Sequence, residues 1–209
     1  MNRRNYSREL DRIIEVNCGE KPRLLIHACC GPCSTSVLEY LFEHFDITIL
    51  WFNPNIFPEE EFAKRLCTLK EVLQKMNFKD RVKLIEKPWQ HDRYLEIVAD
   101  ELEDEPEGGK RCRECFALRL AETARIASEN GFDYFCTTLT VSRHKDAVLI
   151  NAIGEEMAEK LGARWLPSDF KKRNGENRSQ ELSEEMNIYR QLYCGCEFSL
   201  YKRENYLEE

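Results

Sequence analysis

Three cysteines within five positions are the residues whose type and spacing point most directly to chemistry. Cys29, Cys30 and Cys33 stand in the segment His-Ala-Cys-Cys-Gly-Pro-Cys, directly after an apolar run. Thiolates gathered in this way bind soft metals, chiefly zinc or iron–sulfur clusters, or they exchange electrons as dithiols. A helix predicted to begin at Pro32 would bring its N-terminus to these thiols and lower their pKa. His27, as a lone histidine beside them, is expected to be a packed and hydrogen-bonded residue.

Two later pairs of cysteines extend this pattern. Cys112 and Cys115 are three residues apart at the start of a predicted helix, so they share one helix face. With two thiolates of the first group they would supply the four ligands of a zinc site or a 4Fe–4S cluster. Cys194 and Cys196 flank a glycine, and this spacing allows either a strained, easily reduced disulfide or two more metal ligands. The remaining cysteines are expected to be ordinary buried residues: Cys18, Cys67 and Cys136.

Short apolar runs alternate with helical patterns along the chain. Strands are predicted at residues 23–27, 47–52, 82–86, 134–138 and 164–166. Helices are predicted at residues 7–17, 32–45, 59–76, 92–101, 110–129, 144–161 and 179–193. This alternation predicts an α/β fold with a mostly parallel sheet and helices on both faces. The first cysteine group and the polar segments 53–55 and 137–139 each follow a strand, so we expect a metal site at the carboxyl ends of the strands.

Composition limits the classes of function. The 209 residues, 42% of them hydrophobic, suit one domain, which we place at residues 23–209 with a helical extension at 1–22. The sequence has no secretory signal and no membrane-spanning run, which predicts a cytoplasmic protein with no membrane partner. A net charge of −7 gives no overall attraction to nucleic acid. Local basic groups at 143–145 and 171–173 are either solvated surface or a rim that contacts RNA.

Six segments of the chain form a specific combination. They are 27–34 (HACCGPCS), 52–58 (FNPNIFP), 107–116 (EGGKRCRECF), 137–139 (TTL), 169–172 (DFKK) and 189–196 (YRQLYCGC). With this combination the sequence resembles the QueH-type epoxyqueuosine reductases, over about residues 23 to 200. Arg143 departs from the family pattern, where proline is expected, and this affects only the local loop.

The resemblance implies a Rossmann-like sheet of the HUP or PP-loop type and a catalytic domain that includes the Cys-Gly-Cys element. It also implies the reaction, which is cobalamin-independent reductive removal of the epoxide oxygen of epoxyqueuosine in a tRNA anticodon loop, giving queuosine. The electron donor is not identified by the sequence. Basic residues are expected to contact the tRNA phosphates: Lys145, Lys171, Lys172, Arg173 and Arg178.

The resemblance further implies the cofactors. A 4Fe–4S cluster would be held by four cysteines: Cys29, Cys30, Cys112 and Cys115. A second, mononuclear iron would lie close by, with Cys33 as its candidate ligand. Cys194 and Cys196 would correspond to the redox-active disulfide of the family.

Two other functions compete with this interpretation. One is a non-catalytic zinc-binding RNA module, which the same thiols could support. The other is a thiol-dependent tRNA sulfur-transfer enzyme on a similar sheet, which the missing ATP-binding loop weakens. Anaerobic purification separates the first alternative from an iron–sulfur protein, since only the latter is brown.

Overall fold

Four parallel strands form one sheet in the computed structural model, which describes residues 4–78, 80–98, 102 and 105–201. The strands are β1 (Arg23–His27), β2 (Asp46–Trp51), β3 (Lys83–Glu86) and β4 (Tyr134–Thr137). The α-helices are α1 (Tyr6–Val16), α2 (Gly31–Leu41), α3 (Glu59–Lys75), α4 (His91–Val98), α5 (Lys110–Glu129), α6 (Ala147–Leu161) and α7 (Gly175–Glu185). Short 3₁₀ helices lie at Thr138–Val141 and Lys172–Asn174, and residues 197–201 are helical. The strand order is β3-β2-β1-β4, which confirms the predicted α/β class.

The centre of the sheet is β1, which pairs with β2 on one side and with β4 on the other. Its side chains Leu24, Leu25 and Ile26 are fully buried. A continuous apolar run of this kind is expected where helices cover both faces of a parallel strand. These three residues belong to a hydrophobic core that includes side chains of β2 and β4, and the strand ends are therefore held on a rigid base.

His27, the last residue of β1, connects three neighbouring strand ends. Its Nδ1 lies 2.8 Å from Oγ1 of Thr137 on β4, and its Nε2 lies 3.1 Å from the carbonyl oxygen of Phe52, which follows β2. Because a carbonyl oxygen only accepts, Nε2 carries the proton and Nδ1 accepts from the threonine hydroxyl. Burial, together with the charge of Arg119, lowers the pKa of His27 to about 4. The ring is therefore neutral at neutral pH, and the expectation of a packed, hydrogen-bonded histidine is confirmed.

The structure corrects several predicted elements. The helix predicted at 32–45 ends at Leu41, and residues 99–101 of the helix predicted at 92–101 lie outside the described part of the chain. Residues 164–166 do not form a fifth strand, because Trp165 makes only an isolated parallel bridge to Phe135. The N–H of Ser168, which would make the next bond of the ladder, donates instead to Oδ1 of Asn151 at 3.0 Å, so the ladder does not continue. The last predicted helix, 179–193, is instead α7, which ends before Asn187 adopts a left-handed φ of 46°. Residues 188–196 consequently contain neither helix nor strand.

The N-terminal helix α1 packs on the core through Leu10, which is 2% exposed. Its N-cap, Asn5, accepts a hydrogen bond from the backbone N–H of Arg8. The division into an extension at 1–22 and a domain at 23–209 stays a prediction, and residues 202–209 lie outside the described part of the chain. None of the described helices combines the length and the apolar character needed to cross a membrane.

Candidate metal centre

The turn between β1 and α2 positions three thiols. β1 ends at His27, Cys30 is the N-cap of α2, and Cys33 lies in the first turn of that helix. The Sγ atoms of Cys29, Cys30 and Cys33 all lie within 4.8 Å of one another. The helix begins here because Pro32 suits a first turn, where its missing N–H would have no helical acceptor. Cys29, Cys30 and Cys33 are called the thiol triad below.

The thiol triad lines a cavity of about 760 Å³. Asn53 and Asn55, which follow β2, and Leu139, which follows β4, line the same cavity. Residues from the segments that follow β1, β2 and β4 therefore border one cavity. Ser179 of α7 and Gln191 of the C-terminal segment also contribute to the wall.

The thiols of Cys29 and Cys30 have different hydrogen-bond partners. The Sγ atom of Cys29 lies 3.4 Å from Oγ1 of Thr138 and 3.9 Å from Sγ of Cys30. The Sγ atom of Cys30 accepts from the backbone N–H of Cys33 at 3.4 Å and from Nε2 of Gln191 at 3.1 Å. The triad is thus tied to the segment after β4 and to the C-terminal segment by side-chain contacts.

The electrostatics of the triad concentrate negative charge on one sulfur. Hydrogen bonds with Cys30 and Cys33 lower the pKa of Cys29 well below its usual value. Burial raises the pKa of Cys30 to about 12, and hydrogen bonds with its two neighbours raise the pKa of Cys33. The expectation that the helix N-terminus lowers the pKa of these thiols is wrong for Cys30 and Cys33, because burial and the neighbouring sulfurs outweigh it.

Cys112 and Cys115 lie near the start of α5, as predicted. Within the described residues, they do not join the 4.8 Å group of the triad. Burial raises the pKa of Cys115 to about 12 and also raises the pKa of Cys112. Arg119, one turn beyond Cys115, is buried, which disfavours its charge, but its Coulombic interactions with Cys115, Cys194 and Cys29 raise its pKa. The guanidinium of Arg119 therefore links Cys115 electrostatically to Cys29 of the triad.

Cys194 lines the cavity, whereas Cys196 is buried and burial raises its pKa to about 11. Both thiols are free in the structure, and the redox-active disulfide between them stays a prediction. The Nζ atom of Lys145 donates to Sγ of Cys194 at 3.6 Å. Negative charge at Cys194 raises the pKa of Lys145, although burial opposes this. The lysine therefore keeps its proton inside the cavity.

The isolated cysteines divide into two groups. Cys136 on β4 is fully buried, as expected. Cys18 and Cys67 are exposed, so the expectation that they are buried is wrong. Cys18 follows α1 where the chain turns towards solvent, and Cys67 lies on the outer face of α3.

The side chains around the cavity fit a thiolate-bound metal. Three sulfurs within 4.8 Å are a donor set that soft metals prefer. Among the described residues, Oδ1 of Asn55 and Oε1 of Gln191 are buried and have no hydrogen-bond partner, and both side chains line the cavity. Buried acceptors of this kind need a donor or a cation. A 4Fe–4S cluster takes four thiolates, so it would also need Cys112 and Cys115.

The five basic residues predicted to contact tRNA occupy different environments. Lys145 lines the cavity, and Lys171 donates from Nζ to the carbonyl oxygen of Lys145 at 2.7 Å. Arg178 on α7 makes two hydrogen bonds to the carboxylate of Glu39, at 3.0 and 2.8 Å. Lys172 borders a second, smaller cavity, and the side chain of Arg173 lies outside what the structure describes. Phosphate contacts by these residues stay a prediction.

Two residues of α3 that are not among the predicted site residues contact the C-terminal segment, Glu61 and Arg65. Their spacing of four residues is that of an ordinary ion pair on a helix surface, so the sequence carries no sign that they are buried. Gln191 stands inside the motif YRQLYCGC, which was the available signal for its position at the site.

Comparison with known proteins decides the family. The family profile described as "Epoxyqueuosine reductase QueH" matches residues 24–202. This chain belongs to the QueH family. The protein named epoxyqueuosine reductase QueH in Streptococcus pyogenes serotype M1 is 43% identical over 199 residues, 93% of this chain and 78% of that protein. The same name is carried by a Staphylococcus epidermidis protein, 41% identical over 204 residues (95% and 86%), and by a Thermotoga maritima protein, 35% identical over 180 residues (86% and 91%).

The QueH match includes every clustered cysteine of the chain. These are Cys29, Cys30, Cys33, Cys112, Cys115, Cys194 and Cys196. Helix α1 lies outside the matched range. The cavity and its thiols are therefore formed by the part of the chain that the QueH family shares.

Proposed function

We propose that this protein is an epoxyqueuosine reductase that converts epoxyqueuosine in a tRNA anticodon loop to queuosine. The observation that carries the proposal is the thiol-lined cavity inside the region that matches the QueH family. Removal of an epoxide oxygen consumes two electrons and two protons, breaks both C–O bonds, and releases the oxygen as water while a C=C bond forms. The electrons come from a donor that is not identified, and cobalamin is not required.

The proposed cofactor is a 4Fe–4S cluster with an adjacent iron. The cluster is held by Cys29, Cys30, Cys112 and Cys115, and Cys33 is the candidate ligand of the second iron. The thiol triad supports this proposal through its close sulfurs, and Cys115 supports it through its electrostatic coupling to Arg119, which also interacts with Cys29. When bound, such a group supplies single electrons and a Lewis acid.

The chain's own side chains supply positive charge and hydrogen bonds to the substrate. Lys145 keeps its proton in the cavity, where an ammonium group stabilises negative charge that develops on the departing oxygen. Nη2 of Arg119 is buried without a hydrogen-bond partner among the described residues and is available as a second donor. The free amide oxygens of Asn55 and Gln191 accept hydrogen bonds from N–H or hydroxyl groups of the modified nucleoside.

A base in an anticodon loop can reach such a cavity, because loop bases can be turned out of their stack. The cavity of about 760 Å³ is large enough for a modified nucleoside. Lys171, Lys172, Arg173 and Arg178 are proposed to contact the tRNA phosphates around it, and Lys145 acts inside it. Contacts of this kind make tRNA binding weaken as salt rises.

The test is anaerobic purification followed by a reaction with tRNA that carries epoxyqueuosine. Iron and sulfide are measured per chain, and the tRNA nucleosides are analysed by mass spectrometry after reaction with a low-potential chemical reductant. We expect a brown protein and a product lighter by one oxygen atom. Cys29→Ser should abolish the conversion, and Cys67→Ser, at an exposed thiol outside the cavity, is the matched control.

Two outcomes would contradict the proposal. A colourless protein that binds one zinc ion and leaves the nucleoside unchanged would favour the zinc-binding RNA module. A product that has gained sulfur would favour the sulfur-transfer enzyme.

A further inference from the structure

The segment that carries Cys194 is held in place by side chains of another element. Residues 189–196, called the Cys-Gly-Cys segment below, have no helix or strand of their own. Arg65 of α3 donates from Nη1 to the carbonyl oxygen of Cys194 at 3.2 Å, and from Nη2 to that of Tyr193 at 3.3 Å. One guanidinium therefore binds two consecutive peptide carbonyls.

The same guanidinium is fixed from its other side. Its Nε donates to Oε1 of Glu61 at 2.7 Å, one turn earlier on α3. The phenol of Tyr189 donates to the same carboxylate, 2.9 and 3.0 Å from its two oxygens. The ring of Tyr193 lies 5.0 Å from the guanidinium carbon of Arg65. Glu61 and Arg65 thus contact the segment at both Tyr189 and Tyr193.

The ion pair between Glu61 and Arg65 is largely buried. The side chain of Arg65 is 2% exposed and that of Glu61 is 11% exposed. A buried ion pair adds little net stability, because desolvation offsets the attraction between the charges. Its planar donors, in contrast, impose a fixed geometry on the groups they bind. The pair is therefore better suited to holding a backbone in one orientation than to stabilising the fold.

Contacts on the rest of the segment leave little room for movement. The backbone N–H of Phe57 donates to the carbonyl oxygen of Gly195 at 2.8 Å. Gly195 has a φ of 133°, and a Cβ atom there would lie 3.1 Å from Nη1 of Arg65 and 3.2 Å from Nδ2 of Asn55. Glycine permits this close approach, and the approach brings Sγ of Cys194 to 3.6 Å from Nζ of Lys145.

We infer that Arg65, supported by Glu61, is a positioning residue that fixes Cys194 against Lys145 at the cavity. The effect of this placement on turnover rests on the proposed function. The placement itself depends only on the contacts of the segment. Arg65 acts through the backbone of the segment, since its guanidinium donates hydrogen bonds to Glu61 and to two peptide oxygens of the segment.

The test compares the reactivity of individual thiols in the reduced holoprotein under anaerobic conditions. The variants are Arg65→Lys, which keeps the charge but cannot bind two carbonyls and Glu61 together, and Glu61→Gln. Lys70→Met on the same helix is the matched control, because Lys70 pairs with Glu86 at the exposed surface. Alkylation by iodoacetamide is followed peptide by peptide, with the exposed Cys67 as an internal reference.

We expect alkylation of Cys194 to be about ten-fold faster in Arg65→Lys and in Glu61→Gln, since each loses charge-assisted hydrogen bonds. Alkylation of Cys67, the iron and sulfide content, and the KM for tRNA should stay at the wild-type values, while kcat falls. Lys70→Met should match the wild type in every respect. A purely structural role would lower the melting temperature and leave the alkylation of Cys194 unchanged.

Unchanged alkylation of Cys194 in both variants would overturn the inference, and so would an equal acceleration at Cys67. If either variant fails to fold, Tyr189→Phe tests the same network, because it removes only the phenol bond to Glu61. If alkylation of Cys194 is faster in these variants but the wild-type protein does not reduce epoxyqueuosine, the proposed function is refuted and the positioning inference stands.

Discussion

The two cysteine-bearing regions of the cavity are positioned by different physical means. The thiol triad stands on secondary structure, because β1 ends two residues before Cys29 and Cys30 caps α2. The Cys-Gly-Cys segment has no regular structure, and buried side chains of α3 hold its backbone. The triad is thus fixed by main-chain geometry and core packing, whereas Cys194 depends on a few polar contacts.

The two regions are therefore suited to different roles. A site that binds a metal benefits from ligands whose spacing is preset before the metal arrives. A thiol that takes part in electron or proton transfer must stay close to its partners and still be able to change its bonding. Substitutions in the two regions should therefore separate loss of metal from loss of turnover.

The largest expected effect comes from the cysteines themselves. Cys30→Ser should lose most of the bound iron and all measurable turnover, because a hydroxyl is a poor ligand for iron in place of a thiolate. Cys196→Ser should keep the iron and sulfide and still lose turnover by more than about ten-fold. Metal analysis and nucleoside mass spectrometry on the same preparations measure both. Loss of iron in Cys196→Ser would show that the two regions form one ligand set.

Glycines at the two regions give the next largest effect. Gly31→Ala places a Cβ atom 2.9 Å from the carbonyl oxygen of Thr68, so α2 must move away from α3 at a cost of about 1–3 kcal/mol. In Gly195→Ala the new Cβ atom meets the side chain of Arg65, and alanine must adopt a left-handed φ. The local free-energy cost should be similar. We expect lower iron content in the first variant, and lower turnover with full iron in the second.

Gly19→Ala is the control for this pair. Gly19 also has a left-handed φ, of 91°, but a Cβ atom there would have no neighbour within 4 Å. It should lower the melting temperature by a few degrees, through strain alone, and change neither iron nor turnover. If all three alanine variants lower the iron content equally, the substitutions act only through the general stability of the fold.

Cations next to the two regions should differ in their contribution to tRNA binding. Lys171 is bonded to the backbone of Lys145 beside Cys194, whereas Arg178 on α7 is paired with Glu39 of α2. The double variant Lys171→Ala with Lys172→Ala should flatten the slope of log affinity against log salt by up to about 2. Arg178→Ala should change the slope by less, because its charge is already engaged. If the wild type and all variants have the same slope, these residues are solvated surface and do not contact the tRNA phosphates.

The smallest expected effect concerns one hydrogen bond to the triad. Thr138→Val removes the hydroxyl that lies 3.4 Å from Sγ of Cys29 and accepts from its backbone N–H at 3.2 Å. Loss of about 1 kcal/mol of thiolate stabilisation should speed iron loss to a chelator about five-fold. Thr138→Ser keeps the hydroxyl and should behave as the wild type. An identical rate in the valine variant would mean that this hydroxyl does not support the metal.

Regular elements with clear boundary signals were predictable from the sequence. Strand β1 and helix α5 have the predicted bounds, since an apolar run ends at His27 and Gly109 and Gly131 flank the helix. Helix α6 begins at Ala147, three residues later than expected, because Asp146 caps it through the N–H groups of Val148 and Leu149. The convergence of the cavity wall followed from the order of strands and helices.

What the sequence could not give is the part held by side chains. The predicted helix 179–193 begins and ends later in the chain than α7, because the left-handed Asn187 and the coil after it have no periodic pattern. The partnership of Arg65 with the Cys-Gly-Cys segment joins residues about 130 positions apart and follows no local rule. The pKa order within the triad likewise depends on burial and on distances between sulfurs, which spacing alone does not fix.

The histidine that joins the ends of three strands has a consequence for the proposed electron transfer. His27 is neutral and buried, and both ring nitrogens are engaged, so the dipoles beneath the thiols are already oriented. When charge at a redox centre changes, water rearranges at a large energetic cost, whereas fixed dipoles rearrange little. A low reorganisation energy means that an electron can arrive or leave with a small driving force. Under the proposed function, the strand ends that precede the thiols would therefore favour the transfer of single electrons.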